Sequence, residues 1–552
     1  MAHWTEIAAD KQKRREESIP ERWRIPADLL PSEKIRDVQD WPKTSGFFTA
    51  DELTITENTA SEIVGRIAKG QLKATTVVEA ICKRASVAQQ LLNCITEICF
   101  DDAIARAKEL DEYFEKEGRT IGPLHGLPIS FKDQFHLKGL DTSVGYIGWT
   151  NRPASEDSTL VTLLCSAGAI PYVKTNIPTT LMMGESVNNV FGRTCNPRNR
   201  DLTTGGSSGG ESCLVTFRGS FLGVGTDIGG SIRHPCSFTG LYGLRPSHGR
   251  VSYQRVANTF LGQEAVRSCA GPMCRSPADI RLFMSAVAAQ KPWLYDPQTL
   301  PIPWRTEEEV LPRKLCFGFG MGDGVVTPTP PIRRAMEITK KALLAAGHDV
   351  IDFVPIEHAD AAVVITKMYI ADGGEELQRD TDISGEPLHP DIENWLGHSA
   401  NAKPATVFET WQNQHQRTIL QTAWLERWQA TELETGTGRP IDGLIMPSTP
   451  FPAIRHDRNY PHHWGALSPL FDLTTGVFPV TKVDLEVDIV PEDWKPISAL
   501  DEEVSDFYGK PENHENALVG LVVIGRRLEE EKVTAMLELI ETCLDAKSVE
   551  QI

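Results

Sequence analysis

Thr203-Thr-Gly-Gly-Ser-Ser-Gly-Gly-Glu211 and, after an apolar run, Gly223-Val-Gly-Thr-Asp-Ile-Gly-Gly-Ser-Ile-Arg233 hold the densest glycine and serine of the chain. Glycine at this density weakens helix and strand alike, so close approach or unusual backbone geometry has to justify it. Apolar runs on both sides argue against a flexible linker. A P-loop needs Lys and then Ser or Thr after its last glycine, whereas Gly210 is followed by Glu211. Gly223, Gly225 and Gly229 are spaced GxGxxxG rather than GxGxxG, with no acid placed for a ribose. Nucleophilic chemistry at a serine is the reading that remains.

Two serines compete for that role. Ser207 matches the GxSxG elbow literally, but an elbow serine follows a strand directly, and the polar, proline-broken run 196–204 predicts none. Ser231 has the better setting. The run 221–225 predicts a strand and 231–235 the opening of a helix, while Ile228, Gly229 and Gly230 offer unhindered backbone N–H donors beside the hydroxyl, as an oxyanion site requires. A base is also needed. Lys132 closes the short β-type run in His125-Gly-Leu-Pro-Ile-Ser-Phe-Lys-Asp133, where it is either a buried base or a surface partner of Asp133; the residues alone leave both open.

Outward from these segments, helix and strand alternate. Ile104, Ala107, Leu110 and Phe114 recur at helical spacing behind an expected Asp101/Asp102 cap, with Gly118 as the stop. A helix from a Ser158 cap to Gly168 leads into a strand at 170–174, and one over 331–346 leads into a strand at 349–353. Strands at 441–446 and 517–524 and a helix over 528–544 follow. Such alternation predicts an α/β fold on a buried, mostly parallel sheet. No repeat or low-complexity linker divides the chain, so residues 1–55 are expected to be an N-terminal arm packed on a single domain, 56–552, with about 375–435 as a covering helical region.

Taken together, GGSSGGE at 205–211, GTDIGGSIR at 225–233 and HGLPISFKD at 125–133 resemble the amidase signature family, in order and in spacing. Within it, the chain is similar to the filamentous-fungal acetamidase and general amidase group, through its ADK…IPERW arm, 188–197, 241–250 and 523–528. The resemblance implies a large twisted mixed sheet covered by helices on both faces, and hydrolysis of a monocarboxylic acid amide to carboxylate and ammonia or amine. It implies a Ser-Ser-Lys triad: Ser231 as nucleophile, Ser207 as proton relay and Lys132 as base. Ile228, Gly229, Gly230 and Ser231 would hold the oxyanion, with Leu181 and Ser207 also at the substrate. Gly206, Ser208, Asp227 and Arg233 would support the loops, and the Gly206–Ser207 peptide would be cis. A lysine base must be neutral although free lysine titrates near 10.4, which demands burial and predicts that neither Asp133 nor Asp227 contacts the amine. Ser212-Cys213, His234, Cys236, Leu518 and Val522 depart from the group's pattern, which bears on the substrate rather than the reaction. Rival readings are a pathway-specific amidase, an indole-acetamide hydrolase, an ammonia-supplying amidotransferase subunit and a scaffold without activity.

The remaining features exclude more than they assign. With Lys+Arg 56 against Asp+Glu 75 among 552 residues, the net charge of −19 gives a nucleic acid nothing to bind. The 11 cysteines include no CxxC, and His125, His234, His248 and the pair His462-His463 form no metal spacing, so no metal and no organic cofactor are expected. No apolar run reaches membrane-spanning length, and the N-terminus lacks a signal-peptide core, so a cytoplasmic enzyme of small-molecule amides is expected, with a homodimer left open. Leu181, Met182 and Met183 fit either an apolar acyl site or plain core.

Overall fold

The computed structural model describes residues 3–354, 357–393, 403–458 and 463–550, so the His462-His463 pair lies outside the described side chains. One 11-stranded sheet carries the molecule. Its strands are β1 (Ile95–Ile98), β2 (Pro128–Lys132), β3 (Ile170–Thr175), β4 (Leu222–Asp227), β5 (Tyr242–Arg245), β6 (Cys269–Cys274), β7 (Cys316–Phe319), β8 (Asp349–Asp352), β9 (Gly443–Pro447), β10 (Thr475–Lys482) and β11 (Leu518–Ile524). Across the sheet they run β1-β3-β2-β4-β6-β5-β10-β11-β9-β7-β8.

The α/β class and the mixed sheet are as expected, but the expected mostly parallel arrangement is corrected. Parallel pairs join β2 to β3 and β4, and β7 to β8 and β9. Every other neighbour is antiparallel, including the whole centre from β4 to β9. The two parallel wings are the αβ units legible in the sequence: Thr159–Ser166 connects β2 to β3, and Pro330–Ala345 connects β7 to β8. A central strand buried on both faces reads as one apolar run whichever way its neighbours point, so strand direction leaves no trace in such a segment.

Helices cover both faces. A Cβ on Gly476 would meet Leu537 and Val533 of the helix Glu530–Glu550, and Gly476 pairs with Val523. A Cβ on Gly520 would instead meet Ser237 of the helix Arg233–Thr239. Residues three apart on a strand point to opposite faces, so these two helices sandwich β11. The edge strand β1 is covered by the helix Trp4–Glu17. There Lys11 reaches Glu97 at 2.5 Å and Asp141 at 2.8 Å, and Arg15 Nη1 donates to the Ile95 carbonyl at 2.9 Å, which blunts an edge open to foreign strands. On the far wing, the helix Val407–Ala430 packs Trp424 and Trp428 edge-on against Phe353.

Two helix ends differ in detail from the sequence signals. Gly118 does close Phe100–Glu117 in a left-handed conformation, but Cys99 holds the N-cap and Asp101 and Asp102 sit in the first turn, where carboxylates suit the helix dipole. Ser158 is the N-cap of Thr159–Ser166, yet its hydroxyl donates to the Arg255 carbonyl instead of capping.

Candidate active site

Lys132 ends β2 with its side chain fully buried. Its Nζ donates to Ser207 Oγ at 2.7 Å and to Thr226 Oγ1, at the end of β4, at 2.8 Å. Neither neighbouring carboxylate contacts the amine. Asp133 accepts from Thr96 Oγ1 and from the Ser143 and Val144 amides. Asp227 is turned toward Arg233. Burial pushes Lys132 down to about 7, against the opposing pull of Asp227 and Glu211. The surface reading of Lys132 is thereby overturned.

Ser207 sits in the turn that leads into the helix Gly209–Thr216, and the Gly206–Ser207 peptide is cis, as the resemblance implies. The chain passes so close to 183–185 that a Cβ on Gly206 would lie 2.3 Å from the Met183 carbonyl. The stretch expected to lack a strand holds one: Asn199–Thr203 pairs with Cys195–Asn196 in a two-stranded hairpin outside the main sheet. The turn residue Pro197 breaks the run only between those strands, which is why composition hides them.

Ser231 follows β4 in a loop that Asp227 organises from beneath. Asp227 accepts from the Gly230 N–H at 2.9 Å, the Ile232 N–H at 3.1 Å and Arg233 Nε at 3.0 Å, while Arg233 Nη2 reaches both Asp227 Oδ1 at 2.9 Å and the Gly465 carbonyl at 3.0 Å. Burial alone would raise the Asp227 carboxyl, but Arg233, then Arg245 and the loop amides, hold it far below the usual carboxylate range. Gly230 adopts φ +128, and a Cβ there would strike the His234 ring, so only glycine makes this turn. The Gly230 amide is thus engaged by Asp227, which leaves Ile228, Gly229 and Ser231 as the more available of the expected oxyanion donors. These three are half-buried, while Lys132, Ser207 and Asp227 are fully enclosed. The Ser208 amide donates to the Ser231 carbonyl at 3.2 Å and ties the two serine loops together.

Three polar partners escaped the sequence reading. Thr226 Oγ1 donates onward to Gln134 Oε1 at 2.5 Å, and Gln134 Nε2 donates to Tyr253 Oη at 2.6 Å, so the contact beneath Lys132 is the first link of a fixed chain. Gln134 lies two residues past Lys132 and Thr226 one before Asp227, so only knowledge of the pairing of β2 with β4 could have joined them. Glu211, already visible inside GGSSGGE, is buried under the site. It accepts from Ser130 Oγ at 2.5 Å and Thr175 Oγ1 at 2.8 Å, and burial pushes it up to about 8.

Leu181 stands at φ +67 in a small apolar cluster with Val144, Tyr146 and Ile177. Its neighbour Thr180 accepts a hydrogen bond from Thr259, next in the chain to Phe260, which with Val364, Met368, Tyr369 and Glu376 lines a cavity of about 1080 Å³; Lys132, Ser207, Ser231 and Leu181 are not among the lining residues of that cavity. Residues 76–534 match the Amidase family model. The chain belongs to the amidase family. This amidase is 65% identical over 542 residues, 98% of each chain, to the kk1C protein of Curvularia clavata, which carries an amidase name. It is 46% identical to an acetamidase of Emericella nidulans, over 97% of each. Among solved structures it is similar to a fatty acid amide hydrolase, with a TM-score of 0.91 and 32% identity, covering 98% of this chain and 95% of that one. It is an amide-hydrolysing enzyme, and none of its described helices is long and apolar enough to cross a membrane.

Proposed function

We propose that this amidase hydrolyses the amide of a monocarboxylic acid through an acyl-enzyme on Ser231. The observation that carries the reading is the 2.7 Å contact from a fully buried Lys132 to Ser207, beside the loop that presents Ser231. In the acylation step Ser231 Oγ bonds to the amide carbon while its proton passes to Ser207 Oγ and the Ser207 proton to a neutral Lys132. The oxyanion forms against the amides of Ile228, Gly229 and Ser231. The leaving nitrogen takes a proton back through Ser207, the C–N bond breaks, and ammonia or amine departs. Water then attacks the ester by the same relay and frees the carboxylate. Gly206 and Ser208 shape the Ser207 turn in this scheme, and Asp227 and Arg233 brace the Ser231 loop. All 11 cysteines are free thiols, which favours a reducing compartment such as the cytosol.

Ammonia release from acetamide, hexanamide, benzamide and indole-3-acetamide tests the reading. Ser231→Ala and Ser207→Ala are each expected to lose about 10⁴-fold or more in kcat, and a fluorophosphonate should label Ser231 in the wild type only. An active Ser231→Ala beside a dead Ser207→Ala would make Ser207 the nucleophile. The cavity of about 1080 Å³ lies just above the usual range of small-ligand pockets, roughly 300–1,000 Å³, and touches the Ser231 loop through Tyr369, so an acyl group bulkier than acetyl is the expected preference within the panel.

A further inference from the structure

We propose that Tyr369 is a positioning residue for the oxyanion donors, acting through the Ile228 carbonyl; the inference rests on Ser231 being the nucleophile. Tyr369 ends the helix His358–Tyr369, and its hydroxyl donates to the Ile228 carbonyl at 2.7 Å. A trans peptide unit is rigid and planar, with its C=O and N–H pointing in opposite directions. Holding the Ile228 oxygen on Tyr369 therefore aims the Gly229 N–H to the other side of the loop. That restraint matters here because glycine follows: a residue without Cβ lets the peptide plane turn over at little cost. Asp227 pins the loop from Gly230 onward, and Tyr369 pins it before Gly229, so the Gly229 amide is clamped between two fixed points.

The same side chain borders the large cavity. Its ring stacks on Phe260 at 5.9 Å and 13°, and both rings line the large cavity. A Cβ on Gly229 would approach the Tyr369 hydroxyl to 3.2 Å, so the loop and the cavity wall are in direct contact. Tyr369 thus joins the cavity wall to the loop that carries the oxyanion donors.

Tyr369→Phe keeps the ring and the stack and removes only the hydroxyl. Its kcat for acetamide, normalised to the acyl-enzyme burst so that only folded enzyme counts, is expected to fall about 10- to 100-fold with KM unchanged, somewhat less than the loss of a whole oxyanion donor. The rate of fluorophosphonate labelling should fall in parallel, because the phosphonyl oxygen occupies the oxyanion position. Tyr369→Leu should add a rise in KM for indole-3-acetamide. An unchanged kcat with a raised KM in Tyr369→Phe would reduce Tyr369 to a cavity wall and overturn the proposal. So would a loss of kcat with undiminished labelling, or loss of the folding transition. Failure of Ser231 to label in the wild type would sink the nucleophile assignment instead, and the two failures are read separately.

Discussion

Lys132→Met is expected to yield a protein that hydrolyses no amide and yet unfolds at a higher temperature than the wild type at pH 6. The native state holds this amine near 7 rather than its ordinary 10.5, and burial is the cause. A depression of that size corresponds to about 5 kcal/mol against the ammonium. Because the native lysine binds its proton more weakly than the unfolded one, the penalty is fully present below pH 7. It shrinks as pH rises and vanishes near the unfolded value. Methionine fills similar space without charge but abandons Ser207 and Thr226. Thr226 keeps its bond to Gln134, so the stranded group is chiefly the Ser207 hydroxyl, at about 1–3 kcal/mol. The balance is a net gain of roughly 2–4 kcal/mol, seen as a thermal midpoint a few degrees higher at pH 6 and no higher near pH 10. In the wild type kcat/KM should climb through about pH 7 as Lys132 loses its proton. A gain in midpoint independent of pH, or a Lys132→Met less stable at pH 6, would contradict the buried-base account.

The sequence was most readable where local constraint is extreme. Gly205, Gly206, Gly209, Gly210 and Gly230 stand out because a Cβ there would collide with neighbouring atoms or would sit at a positive φ, or both. The parallel wings were legible because helix and strand alternate there at short range. The antiparallel centre was not. The strand β6 reads Cys-Ala-Gly-Pro-Met-Cys, and proline inside a strand normally marks an edge. Here Pro272 stands opposite Val224 in the ladder with β4 but outside the ladder with β5, which pairs only at Met273 and Cys274, so β6 is paired on one side alone at the proline. Likewise Pro479 in β10 sits at a bulge opposite β11. Within the site, the serines, Lys132, Asp227 and Arg233 were readable as chemistry. Thr226, Gln134 and Tyr369 were not, since each matters only through a partner brought close by the sheet or by a distant helix.

Asp227→Asn is expected to lose at least about 100-fold in kcat and about 3–5 kcal/mol of stability, because it removes one charge of a buried pair and leaves the other. Arg233 is 3% exposed, so its guanidinium has no recourse to bulk water once the carboxylate is gone. Asparagine has one acceptor oxygen for the Gly230, Ile232 and Arg233 amides and the guanidinium that now share two, and its amide group turns donors toward donors. The loop carrying the Gly229 and Ser231 amides then loses the floor on which its aim depends. A second readout separates this from general damage. The Asp227 charge favours the Lys132 ammonium, so its removal should move the rise of the pH–rate profile to lower pH. The double variant Asp227→Asn/Arg233→Met discards both charges and should recover much of the thermal midpoint, as uncharged replacements of buried pairs often do, while kcat stays low because the amides remain unanchored. If kcat returned with the stability, the pair would be a structural clasp with no part in shaping the oxyanion site; if Asp227→Asn kept activity within a few-fold of wild type, the loop would hold its aim without it.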